Sequence, residues 1–289
     1  MRERLHAAAV IGRVQLRELA FSPGPYVTLA AGMAVGWMLC SGFARAIDSS
    51  GFDPRRDPVW DFLTRAFAGA FGPVFVERML AEGPFLLIFT ASVVPLVALL
   101  AVGSVARFGA DRVSGALELI ATGPADGTSC VLGSFAKDAA AAAAGLAVIA
   151  LYGALLAAAR NLVVGPMALA ALPVIFLTAL AVSAVGLLCA VVAPNGGAAV
   201  AVFTGVCILF LGTQAGALGA SVSAFQSAAQ TAARLVQWLS PFFYAQVCAQ
   251  GYGGGNALEY GGGLALLAGL TAAALAASHL VLRWRGVRP

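Results

Sequence analysis

Six stretches of about 20 mostly apolar residues recur along this chain, and each is long enough to cross a lipid bilayer. Their limits are about Pro25–Ala44, Pro84–Ala106, Ala139–Ala159, Met167–Val192, Ala198–Leu218 and Leu264–Leu282. No soluble fold of this length hides six such runs. The composition agrees: 61% of the 289 residues are hydrophobic and 10% are charged, against about 25% charged in a soluble domain. The reading is therefore an all-α, polytopic membrane protein with one transmembrane domain over residues 1–289. The net charge of +4 does not point to nucleic acid. Its arginines stand at the ends of apolar runs, where they set membrane orientation.

Six spans put both termini on one side. The inner set then holds Arg2, Arg4, Arg13, Arg17, Arg107, Arg112, Lys137, Arg283, Arg285 and Arg288, which favours cytoplasmic termini in a bacterial-type inner membrane. Residues before Pro23 lack the continuous apolar core of a cleavable signal peptide. Pro194-Asn195-Gly196-Gly197 is a turn between the fourth and fifth spans. The five cysteines have neither metal-ligand nor redox spacing and read as small hydrophobes.

Two outer segments, about 47–83 and 219–259, carry helical patterns of their own. Trp60, Leu63, Phe67 and Phe71 recur at helical spacing over 58–71, as in a helix lying at the membrane interface. In the second segment Phe225 and Trp238 belong to a polar-faced helix. Ser240-Pro241 then reads as a cap followed by proline in the first turn. A short apolar helix with Phe242, Phe243 and Tyr244 follows and ends near Gly251–Gly255. Together these pieces suit a hairpin dipping into the outer leaflet, or an interfacial loop.

Much chemistry is missing. Lys137 is the only lysine and has no P-loop around it, so ATP hydrolysis by that route is excluded. His6 and His279 are the only histidines, and no H-E-x-x-H exists. The predicted spans hold no Asp or Glu away from their ends, which counts against an ion-coupled transporter. His279 reads as a helix-end residue without an acidic partner in its span.

The polar stretch 107–137 stands out between two apolar runs. Val113, Leu117 and Ile120 share one helical face, with Arg112 and Glu118 elsewhere on the wheel. Thr122-Gly123-Pro124 stops that helix, and Thr128 is placed to cap the next one. The pattern suits a short helix held crosswise between two spans, for docking a partner or for lying on the membrane.

This stretch resembles the first cytoplasmic loop of type-2 ATP-binding cassette (ABC) exporter permeases. There an acidic-Arg pair precedes G-T-L-E-x-L, a proline and a G-K. Asp111-Arg112, Gly115-Ala116-Leu117-Glu118 and Pro124 take those places, with Gly133 and Lys137 near the last. Asp stands for Glu, Ala116 for Thr, and Gly133 and Lys137 are separated. RELAFSPGPYVTLAAGMAVG resembles the elbow helix and first span, nearest to permeases of the gliding-motility and nitrous-oxide-accessory type. LSPFFYAQ and a last span ending in Arg fit as well.

The resemblance implies a non-enzymatic permease subunit that exports a substrate as a dimer, with a second permease copy or paralogue and two separate ABC ATPase subunits. ATP and Mg would act through those ATPases, and this chain would bind no cofactor or metal. A coupling helix (Asp111, Arg112, Val113, Leu117, Glu118, Ile120, Pro124) would dock on the ATPase. An elbow helix at about 5–20, with Arg13, Arg17 and Glu18, would flank it. Membrane lipids, and an accessory protein on the outer side, complete the implied partners. The residues alone leave open a stand-alone secondary transporter or channel, or a membrane scaffold.

Overall fold

The computed structural model describes residues 2–50, 57–71, 76, 77, 80, 84–114, 126–214 and 234–285. All regular structure among them is helical: α1 (Arg2–Phe21), α2 (Pro23–Ser50), α3 (Pro58–Phe71), α4 (Phe85–Val113), α5 (Gly127–Ala159), α6 (Pro166–Val192), α7 (Gly196–Gln214), α8 (Pro241–Gly253) and α9 (Ala257–Arg285). Residues 234–239 form a further helical turn before α8.

Five of these helices contain stretches long and apolar enough to span a membrane: Pro23–Phe43, Phe85–Asp111, Gly127–Ala159, Pro166–Val192 and Ala257–Trp284. The protein is thus a multi-pass helical membrane protein. The predicted fifth span, about 198–218, corresponds to α7, whose apolar stretch Gly196–Gly212 is shorter. Residues 215–218 lie outside the described set.

Contacts fix how the helices run. Gly24 of α2 lies against Leu99 of α4, Gly32 against Ser92 and Gly36 against Ile88, so α2 and α4 are antiparallel. At one end α4 meets the start of α7: a Cβ on Gly109 would fall 2.4 Å from the Gly196 Cα. Only glycine permits that approach. Asn195 caps α7 there by accepting a hydrogen bond from the Ala198 amide at 2.8 Å, in the turn the sequence predicts. The ends of α5 and α9 meet at the same place, through Thr128 and His279. At the opposite end Arg160 lies over the Trp37 ring, 4.9 Å from its centroid.

The helices α3 and α8 pack into this frame. Trp60 and Phe67 of α3 are buried and Leu63 is half-buried, while Trp60 meets Phe43 of α2 with ring centroids 6.0 Å apart. The Trp60–Leu63–Phe67 face of α3 therefore turns into the bundle. The side chain of Phe71 lies outside the described set. Pro241 begins α8 as predicted. That helix runs back along α9: Gly251 lies against Tyr260, and Gly263 against Cys248 and the Tyr244 carbonyl. Pro241 and Tyr244 are buried, Phe242 and Phe243 half-buried and Trp238 exposed. Tyr244 donates to the Trp238 carbonyl at 2.7 Å. Phe225 and the rest of 215–233 lie outside the described residues.

Candidate functional site

The polar residues of the bundle concentrate at the end where α4 stops and α5 starts. The helix α1 lies along the first turns of α5. Packing there requires two glycines: a Cβ on Gly12 would sit 2.9 Å from the Gly133 carbonyl oxygen, and one on Gly133 would sit 2.9 Å from the Ala8 carbonyl oxygen. Small residues allow this backbone approach in membrane helices. Side chains then fasten α1. Ser134 donates to the Gln15 side chain at 3.1 Å, and Ser129 lies 3.3 Å from the Arg4 carbonyl.

Ion pairs fasten both ends of α1. Near its C-terminus Glu18 pairs with Arg107 of α4, and Arg107 also faces Asp111 at 3.9 Å. Near its N-terminus Arg4 pairs with Asp126 at 3.2 Å. Asp111 stands just before residues 115–125 and Asp126 just after them. The two flanks of that segment are therefore bridged by a single helix. Glu18, which sits near the apolar arc of its own helix, is explained by the partner it reaches. Arg13 and Arg17 are exposed, and Arg17 lies 5.9 Å over the Phe21 ring.

The N-cap of α5 is Asp126, not Thr128. Asp126 accepts from the Ser129 amide at 2.9 Å and from its hydroxyl at 2.8 Å, which is the third-residue geometry a cap requires. Thr128 lies inside the first turn and meets His279 Nδ1 of α9 at 2.7 Å. Burial pushes the Asp126 carboxyl up, but the Ser129 hydrogen bonds and the Arg4 charge outweigh it. The net effect holds the group below the usual carboxylate range.

Deeper in the bundle lies a second cluster. Lys137 and Asp138 are both buried on α5. Lys137 Nζ donates to Ser104 Oγ of α4 at 2.7 Å and pairs with Asp138 Oδ1 at 2.9 Å. Ser104 in turn donates to Asp138 Oδ1 at 2.6 Å. Asp138 Oδ2 is buried without a partner. This corrects the expectation that the spans hold no internal carboxylate. The apolar run begins at Ala139, but α5 is a continuous helix from Gly127, and its candidate span includes both charges. Lys137 is also not presented for docking.

Serine beside lysine is an arrangement some hydrolases use. Here Lys137 and Ser104 are both buried and tied to Asp138, and Ser104 is 3% exposed. A buried hydroxyl that no substrate reaches is not placed to act as a nucleophile. The arrangement can instead lock α4 to α5, or respond to a proton or ion that reaches Asp138.

Among the predicted docking residues, Asp111 is half-buried, while Arg112 and Val113 lie in the last turn of α4 with side chains outside the described set. Leu117, Glu118, Ile120 and Pro124 fall within 115–125 and lie outside the described residues altogether. No group of three or more metal-ligating side chains occurs among the described residues. Cys40, Cys130, Cys189, Cys207 and Cys248 are all free thiols. Comparison of the chain with protein-family models, curated proteins and solved structures finds no match.

Proposed function

We propose that this chain is the permease subunit of an ATP-driven ABC exporter, with six spans and both termini in the cytoplasm. A separate ATPase docks on residues 111–124. The observation that carries this reading is the braced frame around that segment. It links two long apolar helices directly, and α1 is ion-paired to both flanks, through Arg107 beside Asp111 and through Asp126. A push on such a segment moves α4, α5 and α1 as one piece. The absence of a P-loop fits an engine on another chain. The resemblance of Asp111-Arg112 and Gly115–Glu118 to the family's loop supports the same reading. The α8–α9 pair supports a hairpin that enters the outer leaflet, because the start of α8 is buried among residues of α6 and α9.

The test is ATP hydrolysis by the ATPase reconstituted with this chain. Glu118→Arg is expected to abolish transport-coupled hydrolysis while leaving folding and membrane insertion intact. Stimulation equal to that of the unmodified chain would refute docking there.

One observation favours a second reading, a stand-alone ion-coupled transporter. Buried charges within a span are costly and commonly functional, and Lys137 with Asp138 is such a pair. Under that reading transport in vesicles persists without ATP and collapses in Asp138→Asn.

A further inference from the structure

A cleft of about 370 Å³ lies between α4, α6 and α7, closed at one side by Phe242 at the start of α8. Small-molecule sites occupy about 300–1,000 Å³. Along α4 the lining runs from Thr90 to Val102, roughly 18 Å at 1.5 Å per residue. Val97, Val174, Val182 and Phe203 are among its walls, and among the described residues no Asp, Glu, Lys, Arg or His lines it. Val94 and Val102 at its edge are 55% and 40% exposed. Both lie within the Phe85–Asp111 candidate span. The mouth therefore opens sideways, toward the bilayer, and not at either polar end.

Three occupants compete for this space. Water would need about 12 molecules at roughly 30 Å³ each, every one with two or more polar partners. The walls provide little beyond the hydroxyls of Thr90, Thr178 and Thr204, and that of Thr90 already donates to the Leu86 carbonyl. A helix from a second copy can lie across the mouth but is too large to enter. One turn, with a diameter of about 10 Å and a pitch of 5.4 Å, fills roughly 420 Å³. An acyl chain fits: half of the roughly 30 Å hydrocarbon core is about 15 Å, close to the length of the slot. Uncharged aliphatic walls suit a chain that offers neither charge nor hydrogen bonds.

We propose that a bilayer phospholipid inserts one acyl chain through the Val94–Val102 mouth into this cleft. The inference does not depend on the transport reading, since it concerns a site and not a cargo. Thr178 sharpens it. Its hydroxyl is buried in the wall without a hydrogen-bond partner. Replacing such a group by an apolar one of the same shape is neutral or favourable when the neighbours are apolar.

The test places the full chain in phosphatidylcholine vesicles doped with phosphatidylcholine carrying a diazirine in one acyl chain, followed by irradiation and peptide mapping. The expected result is enriched adducts on Val97, Val182 and Thr204, relative to the outward-facing Leu151, which is 65% exposed. Ala98→Phe fills the cleft and is expected to lower the lining adducts about tenfold, a change of about 1.4 kcal/mol, with labelling at Leu151 unchanged. Thr178→Val keeps the shape and is expected to hold or raise lining adducts; it decides the matter if Ala98→Phe does not fold. Lining adducts no richer than those at Leu151, or lost in Thr178→Val, overturn the proposal. So does disulfide capture of two copies through Thr204→Cys in place of lipid adducts.

Discussion

Lys137 and Asp138 are neighbours in sequence, and adjacent helical residues do not face one another. They meet directly at 2.9 Å, and Ser104 of α4 closes the triangle by contacting both. Removing one partner of a buried ion pair leaves a bare charge and costs about 3–5 kcal/mol. Asp138→Ala is therefore expected to lower the thermal midpoint sharply in detergent. Lys137→Met with Asp138→Leu is expected to recover most of the loss, since an apolar replacement of both charges is often neutral. Equal destabilisation in the double variant would contradict the pairing. Gly133 makes a different prediction. Its added Cβ would meet the Ala8 carbonyl and Ile11 at 2.9 Å, so Gly133→Ala is expected to cost about 1–3 kcal/mol by overpacking. Faster hydrogen exchange confined to α1 would report it, and unchanged exchange would exclude the close contact. The packing roles of Lys137, Asp138 and Gly133 were not legible in the sequence. The hydropathy pattern starts the third span at Ala139, and the cap signal near Thr128 starts the helix earlier, but neither tells that the first turns are buried. Adjacency in sequence also hides Ser104, which only tertiary packing brings to Lys137.

At the scale of elements, α1 is the brace of the polar end. The Glu18–Arg107 pair is half-exposed, so its share of stability is about 0.2–1 kcal/mol. Its value lies in position. Glu18→Arg is expected to loosen the C-terminal part of α1, and Glu18→Arg with Arg107→Glu to restore it, read by hydrogen exchange. The Arg4–Asp126 end adds a pH dependence. The folded Asp126 carboxyl is held below its unfolded value, which is about 3.9. Its contribution is thus present above about pH 4 and lost as pH falls through the folded value. Exchange protection at the start of α1 is expected to drop below that pH, and Asp126→Asn is expected to remove the dependence. The elements themselves were largely legible. Pro58 and Pro241 start helices where the sequence places them, because proline suits the first turn. The face of α3 was legible too, but not what covers it, since a stripe of Trp60, Leu63 and Phe67 suits lipid and protein alike. The cap of α5 was misplaced by two residues, because Asp126 and Thr128 are both good caps and only the register of Ser129 decides between them.

For the whole molecule, the antiparallel run of α2, α4, α5, α6, α7 and α9 brings the N-terminal helix, the flanks of 115–125 and the end of α9 together. Apolar periodicity alone made the multi-pass architecture readable, since lipid leaves few alternatives to buried helices. The convergence of Arg4, Glu18, Arg107 and Asp126 was not readable, because ion pairs across 89 and more residues leave no local pattern. Under the proposed function, force generated on another chain enters through the segment between Asp111 and Pro124. The most direct measurement is site-specific photocrosslinking from position 117 in native membranes, with the adduct identified by mass spectrometry. The expected result is an adduct with a P-loop ATPase, formed from the cytoplasmic side and lost in Glu118→Arg. Adducts with lipid alone, or reaction of that position with a membrane-impermeant reagent from the outer side, would contradict it.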